Sequence, residues 1–165
     1  MIKNIKNLWQ RYKSFFLSVM ISLGIGILST LLTMKNMNIA ESVMQPPLAP
    51  PAFLFAIVWT LLYVLMGISA ALVFEKRAQS PVSVRQGLTY YAMSLVVNFT
   101  WNIIFFNFRA FLIASLWIVL LLFLIIKTVL HYFKVDKPAA YLQLPYIVWV
   151  AFATYLTFGI LYLNG

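Results

Sequence analysis

Cysteine is absent, histidine occurs once and acidic residues occur three times in 165 positions. Disulfides and thiol nucleophiles are therefore excluded, and His131 alone cannot assemble a metal site, which takes three or four ligands. Glu41, Glu75 and Asp136 are far apart in sequence, so no paired carboxylates and no Ser/His/Asp arrangement offer conventional catalysis. Charged residues of both signs make up only 9% of the chain, against about 25% in a soluble domain. A water-soluble fold is excluded. What fills the sequence is apolar, 64% hydrophobic and 17% aromatic, with a mean hydropathy of +0.94.

An ionised side chain at mid-membrane costs about 2.5 to 3.5 kcal/mol on insertion scales, so the gaps between charges mark candidate spans. They predict an all-α membrane protein in a single domain, with five transmembrane helices over about residues 14–34, 51–74, 82–107, 110–132 and 138–163. The first is too long for the apolar core of a secretory signal, about 7 to 15 residues, and lacks a small-residue cleavage site, so it reads as a retained helix. Pro46, Pro47, Pro50 and Pro51 cannot sit in a helix interior, and the second helix is expected to start at Pro51. Ser80 and Pro81 read as N-cap and first residue of the third. Pro145 is expected to bend the fifth, leaving the Tyr141 carbonyl without its helical partner.

Ten of the twelve Lys and Arg fall on one side of this layout: Lys3, Lys6, Arg11 and Lys13, then Lys76, Arg77 and Arg85, then Lys127, Lys134 and Lys137. Only Lys35 and Arg109 fall on the other. The positive-inside rule then places the N-terminus inside and the C-terminus outside. Membrane orientation thus accounts for the net charge of +9, and the expected partner is a lipid bilayer rather than nucleic acid.

Helix faces carry further signals. Ser18, Ser22, Gly26 and Thr30 recur every four residues on the first helix, a row that permits close backbone approach. Phe55, Trp59, Tyr63, Gly67 and Ala71 form a second row, aromatic near the prolines and small further on, which predicts a face wide at one end and tightly packed at the other. Ser94, Asn98 and Asn102 form a third, and amides in hydrocarbon need partners, whether a neighbouring helix or a ligand. Trp149, Ala153 and Thr157 follow Pro145 on one face, either ordinary packing or a cavity wall.

Three segments together, QPPLAPPAFLFAIVWTLLYVLMG (Gln45 to Gly67), NFTWNIIFFNFR (Asn98 to Arg109) and LPYIVWVAFATYL (Leu144 to Leu156), resemble the TspO/MBR family. These are the tryptophan-rich sensory proteins related to the translocator protein or peripheral benzodiazepine receptor. The resemblance implies five transmembrane helices, often paired as a homodimer, and a pocket beneath the loop joining the first two helices. Its implied ligands are tetrapyrroles such as protoporphyrin IX or haem, sterols, and isoquinoline carboxamide or benzodiazepine drugs. By matching motif the pocket would draw on Pro50, Trp59, Asn98, Trp101, Asn102, Phe105, Trp149, Phe152 and Ala153. One departure is that residues 35–49 hold no aromatic, where relatives place Trp or Tyr. The animal sterol segment is also missing, because no Lys or Arg follows Lys137.

The leading expectation is a membrane sensor or carrier for flat apolar ligands that needs no cofactor, most naturally in a bacterial cytoplasmic (inner) membrane. Burying about 400 Å² of apolar ligand yields about 10 kcal/mol gross, against an association cost of at least about 4. Micromolar affinity then needs no ion pair. The alternative that the resemblance implies is a light-dependent porphyrin-degrading enzyme using Trp59 and Trp149 as redox participants. A proton-coupled transporter is a third reading, disfavoured because every acid lies in a predicted loop.

Overall fold

A computed structural model describes the backbone of residues 2–165 and the side chains of these residues except 2–8, 10, 11 and 38–41. Lys3, Lys6, Arg11 and Glu41 thus lie outside the described side chains. Among the described residues there are no strands, and the helices are α1 (Ile2–Thr33), α2 (Ala52–Glu75), α3 (Pro81–Asn102), α4 (Phe111–Phe133), α5 (Lys137–Leu142) and α6 (Leu144–Asn164). A 3₁₀ segment, Met34–Glu41, continues α1, and one π turn, Ile103–Asn107, continues α3. Five stretches are long and apolar enough to cross a bilayer: Tyr12–Met37, Ala52–Glu75, Pro81–Asn107, Phe111–Phe133 and Lys137–Asn164.

These helices are apolar nearly all round, so hydrophobicity does not separate the inward face from the lipid face. Leucine and isoleucine stand exposed along α1 and α4, while Ser22, Ser69, Ser94, Asn98 and Thr128 are buried. Small and polar residues thus share the interior with aliphatic side chains such as Ile118, Leu121, Leu124 and Ile125 of α4, as expected where lipid is as apolar as leucine. The spans form a ring in the order α1, α2, α5 with α6, α4, α3, closed by contact of α3 with α1. α2 rests mainly on α1 and on the short α5, and touches α6 only slightly. That weak contact leaves room at one end of the ring.

At the other end the packing is close. A Cβ on Gly67 would stand 2.5 Å from the Cα of Val19, so the backbones of α1 and α2 meet there. Ser69 Oγ donates to the carbonyl of Ala139 at 2.7 Å, tying α2 to α5. Asp136 caps α5 by accepting from the Ala139 amide at 2.9 Å.

Two expectations need correction. The fifth span is not one kinked helix but two helices broken at Gln143, and Pro145 sits in the first turn of α6. A proline in a first turn removes no helical hydrogen bond, so a break that restarts the helix avoids the loss. The Tyr141 carbonyl accepts from the Gln143 amide instead. The start of α3 is as expected, with Ser80 at the N-cap and Pro81 in the first turn; the Ser80 carbonyl, rather than its hydroxyl, is bonded there, accepting from Val84 N at 3.0 Å. Finally, α1 begins well before residue 14, at Ile2.

Gly67→Ala should therefore destabilise the protein by about 1 to 3 kcal/mol, because backbone cannot move aside as a side chain can. Gly24, with nothing within 4 Å of an added Cβ, is the control. Thermal unfolding in detergent should show a lowered midpoint for Gly67→Ala and none for Gly24→Ala. Equal midpoints would contradict a backbone contact at Gly67.

Candidate ligand-binding cavity

Where α2 and α6 diverge, a cavity of about 490 Å³ lies between α1, α2, the end of α3 and α6, within the roughly 300–1,000 Å³ range of small-molecule sites. The α2 row divides as its composition does. Phe55, Trp59 and Tyr63 line the cavity, whereas Gly67 and Ala71 are buried in the packed end. Trp59 lies 5.7 Å from Tyr63 and meets Tyr146 edge-on at 6.1 Å between centroids, which fixes its indole against the wall.

The α3 wall is built from Trp101, Asn102, Phe105 and Phe106. Trp101 donates from Nε1 to the carbonyl of Ala114 at 3.1 Å and stacks on Phe105 at 5.0 Å. The π turn widens the helix at this point, with Phe108 N donating to the carbonyl of Ile103 at 3.2 Å. Consecutive Phe105 and Phe106 both reach the cavity as a result.

The row of amides splits between two roles. Asn98 is fully buried and donates from Nδ2 to the Tyr146 hydroxyl at 3.0 Å, so it joins α3 to α6. Asn102 lines the cavity and donates to the Asn98 carbonyl at 3.0 Å. Pro50, Trp59, Trp101, Asn102, Phe105 and Ala153 thus all face one cavity. Asn98, Trp149 and Phe152 do not line it. Trp149 stands one ring behind, edge-on to Phe55 at 5.3 Å, and Phe152 packs on Trp149 at 5.7 Å.

Sequence reasoning missed the α1 wall. Gly26, Ser29, Thr30 and Thr33 line the cavity, and Gly26 abuts the ring of Tyr63. The Ser22, Gly26 and Thr30 row signalled close approach, and part of that row is cavity wall. Ser29 is 2% exposed and its hydroxyl has no partner among the described residues. Ile27, Leu31, Ala56 and Thr60 line the cavity and are also exposed on the outside of the bundle. The cavity therefore opens sideways between α1 and α2.

Gln45, Ala49 and Pro50 roof the cavity, and that loop is anchored on α6. A Cβ on Gly159 would meet Pro46 at 2.6 Å, Tyr155 donates its hydroxyl to the Pro47 carbonyl at 3.0 Å, and the Asn164 amide pairs with both the N–H and the carbonyl of Met44. Ala49 N donates to the carbonyl of Pro46, closing a turn with Leu48 at φ 68°. Turns place glycine at that position, so the side chain of Leu48 carries strain there. No charged side chain among the described residues lines the cavity. Among the described residues no three His, Cys, Asp or Glu gather into a cluster able to hold a metal.

A bundle of five spans around an apolar chamber under a proline-rich roof defines a class of integral membrane protein. The chain matches the profile of the TspO/MBR family over residues 18–163. It is 35% identical over 149 residues to the tryptophan-rich protein TspO of Chlorobaculum tepidum, covering 90% of this chain and 94% of that one. It is 34% identical to protein CrtK of Rhodobacter capsulatus, covering 75% and 77%. With the translocator protein of Ovis aries the identity is 31%, covering 71% and 69%. The chain belongs to the TspO/MBR family.

Removal of the Asn98 amide should cost about 1 to 2 kcal/mol, because it leaves the buried Tyr146 hydroxyl without its donor, while Asn102 keeps its bond to the Asn98 backbone carbonyl. Paired with Tyr146→Phe, the Asn98→Leu variant should recover part of that loss. A double-mutant cycle on thermal unfolding reads the coupling, and strict additivity would contradict the bond.

Proposed function

We propose that this protein binds a tetrapyrrole such as protoporphyrin IX or haem, as cargo rather than cofactor, and acts as a sensor or carrier. The observation that carries the reading is the cavity itself: about 490 Å³, walled by Trp59, Phe55, Phe105 and Phe106, with no charged side chain among its described lining. A flat conjugated ring gains area and aromatic contacts from such walls. Asn102 and the unpartnered Ser29 hydroxyl supply the few polar contacts that orient a ligand without dominating its affinity. Membership of the TspO/MBR family supports the same reading. We place the basic end of the bundle in the cytoplasm of a bacterial cell, following the charge asymmetry.

Light-driven degradation of the bound ring is the second reading, favoured by the contact of Trp59 with the cavity. An indole against an excited porphyrin can donate an electron to it. Trp149 is shielded by Phe55, so the two indoles are not equivalent. The transporter reading gains no support, because Glu75 ends α2 and Asp136 is occupied in capping α5.

Titration of the purified protein with protoporphyrin IX in the dark tests binding through tryptophan quenching. Saturable quenching is expected, weakened several-fold by Ala153→Leu, which narrows the cavity, and by Trp59→Phe more than by Trp149→Phe. Quenching that never saturates, or that ignores all three variants, would overturn the binding reading. Illumination of the same samples reads the second reading as protein-dependent loss of the porphyrin bands, and its persistence in Trp59→Phe would exclude that indole as donor.

A further inference from the structure

The C-terminal end of α4 carries the chain's one histidine between two lysines. Lys127, His131 and Lys134 are spaced four and three residues apart and so share one face of the helix. Phe123, Ile126 and Leu130 beside them are exposed, so that face looks toward lipid. Lys127 and His131 are half-buried and Lys134 is exposed. None of the three forms an ion pair among the described residues. None of them lines the chamber described above.

His131 and Lys134 have a structural reason to be there, since cations near a helix C-terminus meet the negative end of its dipole. Lys127 has no such reason. It lies six residues before Phe133, the last residue of α4, which at 1.5 Å per residue is about 9 Å further into the span. Side chains lean toward the N-terminus of their helix, and on α4 that direction leads away from the basic end. The Lys127 ammonium accordingly stands 5.5 Å from the ring centroid of Phe123, one turn deeper still. Snorkelling to the headgroups, the usual relief for a lysine in a span, runs against that lean. An anion drawn down to the lysine relieves it instead.

His131 marks the level at which such an anion would sit. Its Nδ1 lies 2.8 Å from the Lys127 carbonyl, and a carbonyl only accepts, so Nδ1 carries a proton and Nε2 is the free edge of the ring. The Tyr90 ring of α3 packs against the imidazole at 5.1 Å between centroids, and its hydroxyl has no partner among the described residues. Gly87 brings α3 close here, since an added Cβ would stand 3.3 Å from the Cβ of His131. Tyr90 and His131 thus form an aromatic wall in the seam between α3 and α4, with a lysine above and below it along α4.

We propose that Lys127, His131 and Lys134, with Tyr90, bind the phosphate of one anionic phospholipid in the leaflet at the basic end of the bundle. A water-borne anion would have to leave water to reach Lys127, whereas a lipid brings its phosphate to the edge of the hydrocarbon and its chains cover Phe123, Ile126 and Leu130. Two lysines against one phosphate leave an excess of positive charge. That excess favours a lipid of net negative charge over phosphatidylcholine, whose phosphate already has its own cation.

Phosphatidylglycerol and phosphatidylcholine with matched acyl chains are titrated into the purified protein in an uncharged detergent, and bound lipids are counted by native mass spectrometry. The wild-type protein should hold one phosphatidylglycerol more tightly than any phosphatidylcholine. Lys127→Gln and Lys134→Gln should each raise the Kd of that lipid about three- to tenfold, as expected for loss of one basic contact to an anionic headgroup. Lys76→Gln, which removes the same charge from the same end on another helix, should leave it unchanged. The thermal midpoint without lipid should not fall in Lys127→Gln, which takes a cation out of a span, and Lys134→Gln, at an exposed position, keeps the test independent of folding.

Equal loss in Lys76→Gln would mean that the charge of the whole end selects the lipid, and the site on α4 would be overturned. It would also be overturned if the two lipids bind alike or if neither α4 variant moves the Kd. Displacement of the lipid by inorganic phosphate would show a site for a water-borne anion and would equally contradict it.

Discussion

Backbone contact between α1 and α2 at Gly67 sets the shape of this bundle. A missing Cβ lets two helices touch through main-chain atoms opposite Val19, and in lipid such close van der Waals packing replaces the hydrophobic drive that water would give. About two and three turns of helix away the same face of α2 carries Trp59 and Phe55, whose rings hold the neighbouring helices apart. The helix must therefore lie close at one end and stand off at the other. The cavity is the consequence of that wedge.

Holding such a chamber open is a matter of satisfying the groups around it. Asn98 and Tyr146 join α3 to α6 behind the wall, and Trp101 is pinned to the carbonyl of Ala114. The proline loop is held down along α6 by Gly159, Tyr155 and Asn164. The walls are thus held from outside, while among the described residues the lining keeps one buried hydroxyl, Ser29, that no protein group satisfies. A site whose walls are held in place before a guest arrives is preorganised for it.

The spans and the proline-rich start of α2 were legible because charge is so costly in hydrocarbon that its absence marks each crossing. The wedge was legible too, since the row from Phe55 to Ala71 changes size along its length. Orientation of individual side chains was not. Helices apolar on every side give no amphipathic signal, so nothing in the sequence separated Trp59, in the wall, from Trp149, behind Phe55. Asn98 and Asn102 differ by one turn, yet a tyrosine on α6 makes one a strut and leaves the other facing the cavity. Pro145 misled because its effect depends on whether a helix runs through it or begins there, and that choice belongs to the Gln143 break. The α1 wall escaped notice because small polar residues signal close packing and cavity lining alike.

The central claim is that the chamber beneath the proline loop is where a tetrapyrrole sits. A crystal structure of the complex with zinc protoporphyrin, with the metal located by anomalous scattering, tests it most directly. The account predicts one metal peak per chain, enclosed by Trp59, Phe105 and Ala153. A peak on the lipid-facing surface or between two chains, with the chamber unchanged, would contradict it.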